Sequence, residues 1–491
     1  MMIKGQAQMI RSMQMMVIIL VMGMSCNTTG NSKNAAVATN NPVSIEGSES
    51  GEAGISISTA KAVPLYKQVH SGCTIDIFFG KGMVPRNVLA DPYFSWIKAL
   101  NLYSLQYSGG STSDHDHAII GDTLINGGKG DGYNMRREDA QARGESFEGL
   151  LDGVGTVKFG VDFFNQYTAL VHKLNVRGDI IANVQSGTLE ELYWKIERSH
   201  AQRVIFGLEQ NISSNSRDFP DGSAYRKKIA TWIEAVEKKY PGIITVIDAA
   251  PIYRQSAKFG TWNKQLEGIP GDEARLYLWD KDLFETKENP ADNLPAINEV
   301  FSTTIPQWLN NFKSTFPGKK AAVCQWGIKA KSPIHNTMIG CLYLGKFYEF
   351  MISYNKANNN FIGYASFMTL KTLNRGENEK ADADNFYKIL KACGLLFTGN
   401  KQVDDMVITG INGVSGISCS ENGTYTLLLM NETGSEVKIP SIKINGSSVT
   451  GKSFTVNSVA ASSLGSYDVN EAVNKVNTLT LKPYSVNVVT F

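Results

Sequence analysis

Arg203-Val-Ile-Phe-Gly-Leu-Glu-Gln-Asn211 is the stretch on which the fold turns. Its first half is β-branched and aromatic, the composition of a buried strand, and it breaks at Gly207. A polar run from Ser213 to Gly222 follows, then an amphipathic helix whose Ile229, Trp232, Ile233 and Val236 share one face. Ser223 is the expected N-cap of that helix, and Pro241-Gly242 ends it. Strand, loop and helix in this order, with the strand expected over Val204–Glu209 and Glu209 at its C-terminal end, is the unit from which α/β barrels are built. Such barrels carry their chemistry at the C-terminal ends of the strands.

Outward from this unit the alternation continues. Strands are expected at Thr74–Phe79, Leu102–Tyr107, Asp179–Val184, Ile243–Ala249, Ala274–Leu278, Ala321–Trp326 and Phe361–Met368. Helices are expected around Tyr93–Leu100, Phe159–Leu174, Leu189–Ser199 with Thr188 as cap, Phe301–Phe312 and Met338–Ser353. About eight strand–helix units make a (β/α)8 TIM barrel over residues 66–397. From 398 to 491 the texture changes to short alternating runs, Thr424–Met430, Val437–Ile444 and Ser485–Phe491, separated by Asn-Gly and Gly-Ser turns. That is the pattern of an antiparallel β-sandwich, and the strand within 54–65 is expected to add to it. The aperiodic stretch from Ser111 to about Thr156 is long for a compact domain, and on a barrel it would lie over the active face.

The chain has 491 residues, a formal charge of +2 and 19% charged side chains, without the basic excess of nucleic-acid binders. Lys4 and Arg11 precede the apolar run Met15–Met24, which is too short to span a bilayer and reads as an export signal. Gly23-Met24-Ser25-Cys26 resembles a bacterial lipoprotein cleavage site. The expectation is a signal peptide over 1–26, lipidation at Cys26 and a flexible tether over 27–53. This places the protein in the cell envelope, at the outer membrane on its periplasmic or surface face. An ordinary secretory signal or an uncleaved anchor are the alternatives. The remaining cysteines, Cys73, Cys324, Cys341, Cys393 and Cys419, are widely spaced and indicate neither a zinc site nor a disulfide framework.

Four segments together resemble clan-A retaining glycosidases, the group of arabinofuranosidase-like, heparanase-like and agarase-like enzymes. Leu105-Gln-Tyr-Ser-Gly-Gly110 is similar to their Arg-Phe/Tyr-Pro-Gly-Gly segment, and Phe206-Gly-Leu-Glu209 to their Gly-Asn-Glu acid/base motif. Val323-Cys-Gln-Trp326 resembles the Thr-Glu-Trp/Tyr nucleophile motif, and Leu481-Lys-Pro-Tyr-Ser-Val486 the last strand of the accessory β-domain. The resemblance implies that Glu209 holds the acid/base position and Gln325 the nucleophile position. Leu208 stands where the family has the Asn that binds the sugar 2-hydroxyl, and Gln106 where it has an Arg beside the nucleophile. The His that the family often carries after the sixth strand is replaced here by Trp279 or is absent.

An amide carries no charge and cannot form the glycosyl ester of the retaining reaction. Losing the Arg together with the Glu is coherent, because a buried Arg without its carboxylate costs several kcal/mol. The favoured reading is a glycosidase-like protein that binds poly- or oligosaccharide with impaired or no hydrolysis. It needs no cofactor or metal, and other glycan-utilisation proteins are candidate partners. The alternative is an active glycosidase with Glu209 as acid. It would use Gln325 to orient a substrate that supplies its own nucleophile, or an inverting arrangement with Asp114, Asp116, Asp280 or Asp282. A structural surface protein is the third reading. Asp114-His-Asp-His117 suits a solvated loop better than a metal site, with Asp114 and His115 kept as sugar contacts. Tyr107, Tyr253, Trp279 and Trp326 are candidate aromatic contacts, whereas Tyr277 reads as core.

Overall fold

The structure, a computed structural model, describes residues 52–73, 87–107, 119–120, 123–124, 163–211, 218–252, 257–329, 331–368 and 384–491. These belong to one compact unit, Gly51–Phe491. Eight parallel strands close into a barrel, in chain order Ser71–Cys73, Ser104–Tyr107, Arg177–Ala182, Ala201–Phe206, Ile244–Ile247, Glu273–Trp279, Lys320–Gly327 and Ile362–Phe367. The expected (β/α)8 barrel is therefore borne out. Residues 74–79 lie outside the described residues, so the first strand is seen only over Ser71–Cys73.

Inward and outward residues alternate along each strand. Ile181, Ile205, Leu208, Val246, Ala322, Cys324 and Tyr364 form a cluster inside the barrel. Their neighbours Ile180, Val204, Phe206 and Val323 pack in the larger core with the surrounding helices. Towards the strands' N-terminal ends the interior is charged. Arg203 donates to both carboxylate oxygens of Glu273 at 3.1 and 3.3 Å, to Asp179 at 3.3 Å, to Gln68 at 2.6 Å and to the Gly363 carbonyl at 3.1 Å. Burial pushes both carboxyls up, and Arg203 opposes that push. A satisfied network at this end of a barrel serves stability.

Thr188 caps the helix Leu189–Ser199 in a full capping box with Glu191. The helix Gly222–Lys239 starts two residues earlier than its sequence suggests. Asp221, not Ser223, accepts the Ala224 N–H at 2.8 Å, a better anionic cap for a helix N-terminus. The helix expected at Phe301–Phe312 is the latter part of a longer run: Leu294–Glu299, a π-turn at Val300–Thr304, and Ile305–Thr315.

The C-terminal region is a nine-stranded, mainly antiparallel sheet folded around its own apolar core, with Ile55, Leu427, Leu429, Phe454 and Val489 among its members. Gly54–Pro64 sits inside this sheet, antiparallel to Gln402–Thr409 and parallel to Ile442–Ile444. The run expected at Val437–Ile444 is split at Pro440 into Val437–Lys438 and Ile442–Ile444. Among the described residues, no helix is long and apolar enough to cross a membrane.

Candidate functional site

The fourth strand stops at Phe206, so Glu209 projects from the turn beyond it and not from the strand itself. Gly207 takes φ +84°, and Leu208 drops into the barrel's inner cluster. Glu209 itself adopts φ +57°, a left-handed conformation rare for a side chain of its kind, and is half-buried. Three contacts hold this turn. The Gln210 N–H donates to Asp248 Oδ2 at 2.5 Å. The Gln210 side chain donates to the Leu208 carbonyl at 3.0 Å and accepts from Gln185 at 3.0 Å.

Asp248, at the end of the fifth strand, is fully buried and ion-paired with Arg275, itself buried in the sixth strand. Tyr225 ties the two strand ends together, accepting from the Asp248 N–H at 2.8 Å and donating to the Phe206 carbonyl at 2.7 Å. Burial pushes the Asp248 carboxyl up to about 6, against the pull of Arg275 and the Gln210 N–H and with help from the nearby charge of Glu209. The Arg275 guanidinium lies 4.0 Å from the Tyr277 ring centroid. None of its three nitrogens has an aligned hydrogen-bond acceptor, and the Tyr277 hydroxyl also lacks one. Arg275 and Asp248 thus meet as charges more than as an aligned hydrogen bond.

Gln325 lies in the seventh strand, at a bulge. Cys324 pairs with Ser366 and Trp326 with Phe367, leaving Gln325 unopposed, and the same extra residue appears against the sixth strand. Bulges of this kind re-aim side chains beside functional sites. Cys324 faces the barrel interior, Gln325 is 3% exposed, and Trp326 points outward. Its ring stacks on Phe347 at 4.2 Å and meets Phe367 and Tyr348 edge-on.

Trp326 is therefore a core residue, correcting its assignment as a sugar contact. The same holds for Tyr107, which is 4% exposed and packs against Phe164 and Tyr167 on the helical side. Gln106, its strand neighbour, faces inward and accepts from the Tyr364 hydroxyl at 3.4 Å. Leu208 is buried as an apolar filler and offers no polar group to a sugar. Trp262 is also core, donating its indole N–H to the Asp248 carbonyl at 3.3 Å.

Trp279 ends the sixth strand and is 6% exposed, with the Lys329 ammonium 3.3 Å above its ring. Asp280 is buried and accepts the Lys329 N–H at 2.9 Å, so it serves the backbone there, not an open cleft. Cys26, Asp114, Asp116, His115 and Tyr253 lie outside the described residues. Among the described residues, no group of three or more His, Cys, Asp or Glu could hold a metal ion.

Sequence reasoning missed Asp248, Arg275 and Lys329. Asp248 closes the run Ile-Thr-Val-Ile-Asp, and Arg275 interrupts an otherwise apolar strand. A charge inside a barrel strand was the available signal, since buried charges require partners.

No family model matches the sequence, and no curated protein matches it. Solved structures do match the fold. A GH51 arabinofuranosidase from Xanthomonas axonopodis pv. citri superposes with a TM-score of 0.60 at 10% identity, over 89% of this chain and 100% of that one. The thermostable GH51 alpha-L-arabinofuranosidase of Thermotoga petrophila RKU-1 gives 0.60 at 11%, over 90% and 100%. A xyloglucanase of glycoside hydrolase family 44 from Paenibacillus polymyxa gives 0.54 at 11%, over 89% and 98%. At these identities the likeness is one of fold.

Proposed function

We propose that this protein binds poly- or oligosaccharide in the cleft at the C-terminal ends of the barrel strands, with impaired or no retaining hydrolysis. In the same reading it is exported and lipid-anchored at Cys26, holding the barrel at the cell envelope. The observation that carries the proposal is the pairing of residues at the fourth and seventh strands. Glu209 follows the fourth and Gln325 sits in the seventh, the positions that the resemblance to clan-A retaining glycosidases assigns to the acid/base and the nucleophile. Such a reaction needs two carboxyl groups about 5 to 5.5 Å apart, one of which forms the glycosyl ester. Here one of the pair is an amide. Glu209 retains the capacity to accept hydrogen bonds from sugar hydroxyls, and charged acceptors make the stronger ones.

Affinity electrophoresis against a panel of polysaccharides, with a reducing-sugar assay on the same panel, tests this. The expected result is retardation without product. Turnover that disappears in Glu209→Gln would instead establish an active glycosidase. Gln325→Glu alone is expected to add no turnover, because the new carboxylate would be buried without the cation that Gln106 has replaced. Adding Gln106→Arg is expected to raise turnover above that single variant by about tenfold, 1.4 kcal/mol of transition-state stabilisation, or more.

A further inference from the structure

Resting on that reading, we propose that the glycan is acidic, a chain bearing uronic-acid carboxylates, and that Lys329 is the residue that receives the carboxylate.

Lys329 lies two residues past the seventh strand, and its backbone is pinned by the Asp280 carboxylate at 2.9 Å. Its ammonium covers one face of Trp279 at 3.3 Å. A neutral sugar stacks on a bare aromatic face, but this face presents a cation, held there by the ring's own quadrupole. Among the described residues, no ion pair engages the Lys329 ammonium. The charges around it are Glu209, Asp280 and Asp282 on one side of the balance and Lys281 on the other. Burial, reinforced by Lys281, holds the amine down at about 8, the condition of an ammonium that a further anion would relieve.

The sixth strand supplies an independent observation. Arg275, Tyr277 and Trp279 are two apart in sequence and so share the inward face of that strand. Beneath the Trp279–Lys329 pair, the column therefore holds a buried guanidinium that meets Asp248 through Nη2 and leaves Nε and Nη1 without an acceptor, and a tyrosine hydroxyl with none. Buried donors left over by the protein mark where ordered water or a ligand's acceptors complete the bonding. Carboxylate oxygens suit a guanidinium best.

Gln325 fits the same picture. A glutamate there would repel an anionic sugar, whereas the amide adds no charge and leaves Glu209 opposed by Lys329.

The test uses the mature chain in affinity gels containing polygalacturonate, alginate or hyaluronan, set against xyloglucan, arabinan and dextran. The expected result is retardation by at least one acidic polymer, with at least tenfold weaker binding of all the neutral ones. Lys329→Gln, checked for an unchanged unfolding midpoint, is expected to lose that retardation about tenfold or more. Equal or tighter binding of a neutral polymer overturns the inference and leaves the carbohydrate-binding reading standing. Acidic-polymer binding that persists in Lys329→Gln shows that the carboxylate is received elsewhere, and also overturns it. Retardation by none of the six sinks the carbohydrate reading itself, and the inference with it.

Discussion

Asp248 has no solvent exposure, one cation and one N–H, and its task is to hold the peptide after Glu209. Its carboxyl is pushed from an ordinary 3.8 up to about 6, chiefly by burial. Between those values the folded protein keeps a proton that the unfolded chain has released. The stabilisation from that proton is full below about pH 3.8 and is lost as pH rises through 6, amounting to about 3 kcal/mol. Other buried carboxyls pushed upward, among them Asp179, Glu273, Asp280 and Asp404, act in the same direction, so the test must be a difference. Asp248→Asn removes one titration and keeps an oxygen that can accept the Gln210 N–H. Urea unfolding of wild type and variant at pH 4.5 and pH 7 is expected to show the wild type's advantage shrinking at the higher pH. An advantage that does not change with pH would mean that Asp248 stays charged throughout.

Two elements, the exit from the fourth strand and the bulge in the seventh, decide what the cleft presents. At the exit, a Cβ on Gly207 would lie 2.8 Å from Gln210 Cγ and from Val184 Cγ2, on a backbone already at φ +84°. Gly207→Ala is expected to cost about 1–3 kcal/mol and to displace Glu209, weakening glycan retention. Gly242 is the control: its φ is +89° but a Cβ there meets nothing within 4 Å. Gly242→Ala should cost only the left-handed penalty, about 1–2 kcal/mol, and leave retention unchanged. A matched loss of retention in both would show that stability, not the placement of Glu209, governs binding.

The bulge explains why part of the site was illegible in the sequence. Counting by twos from Ala322 puts Cys324 and Trp326 on the inner face. The unopposed Gln325 reverses the count after Cys324 and sends Trp326 out to Phe347. One added residue leaves composition and apolar pattern unchanged, so no periodicity reports it. Tyr107 was legible: if Gln106 faces in, its neighbour on a strand must face out. The strands themselves could be read because those of a barrel are buried on both faces and run almost continuously apolar. The inward charges could not be paired, because Asp248 with Arg275 and Arg203 with Glu273 are matches between different strands.

At the scale of the whole molecule, the helix Met338–Ala357 joins barrel and sheet. It is buried all round from Met338 to Tyr348, the mark of a helix packed on every side, and meets solvent only in its last turns. Phe347 stacks on Trp326 of the seventh barrel strand, while Gly345 lies against Met430 and Val486 of the C-terminal sheet. Leu428, Met430, Val486 and Val488 of that sheet belong to the same apolar core as the barrel's outer layer. A shared core of this kind couples two regions into one cooperative unit, where a wet polar boundary would leave two. The protein is therefore expected to unfold in a single transition, with helix and strand signals lost together. Gly345 provides the sharper test, because a Cβ there would already lie 2.8 Å from the Met430 sulfur and 3.3 Å from both Val486 methyls. Gly345→Leu forces the helix off the sheet and is expected to cost about 1–3 kcal/mol, as overpacking does. If the core is one, that loss moves the helical and the sheet transitions by the same amount in denaturant. A barrel that holds its midpoint while the sheet's falls would show two independent domains, and the C-terminal sheet would then be an attachment and not part of what keeps the cleft in shape.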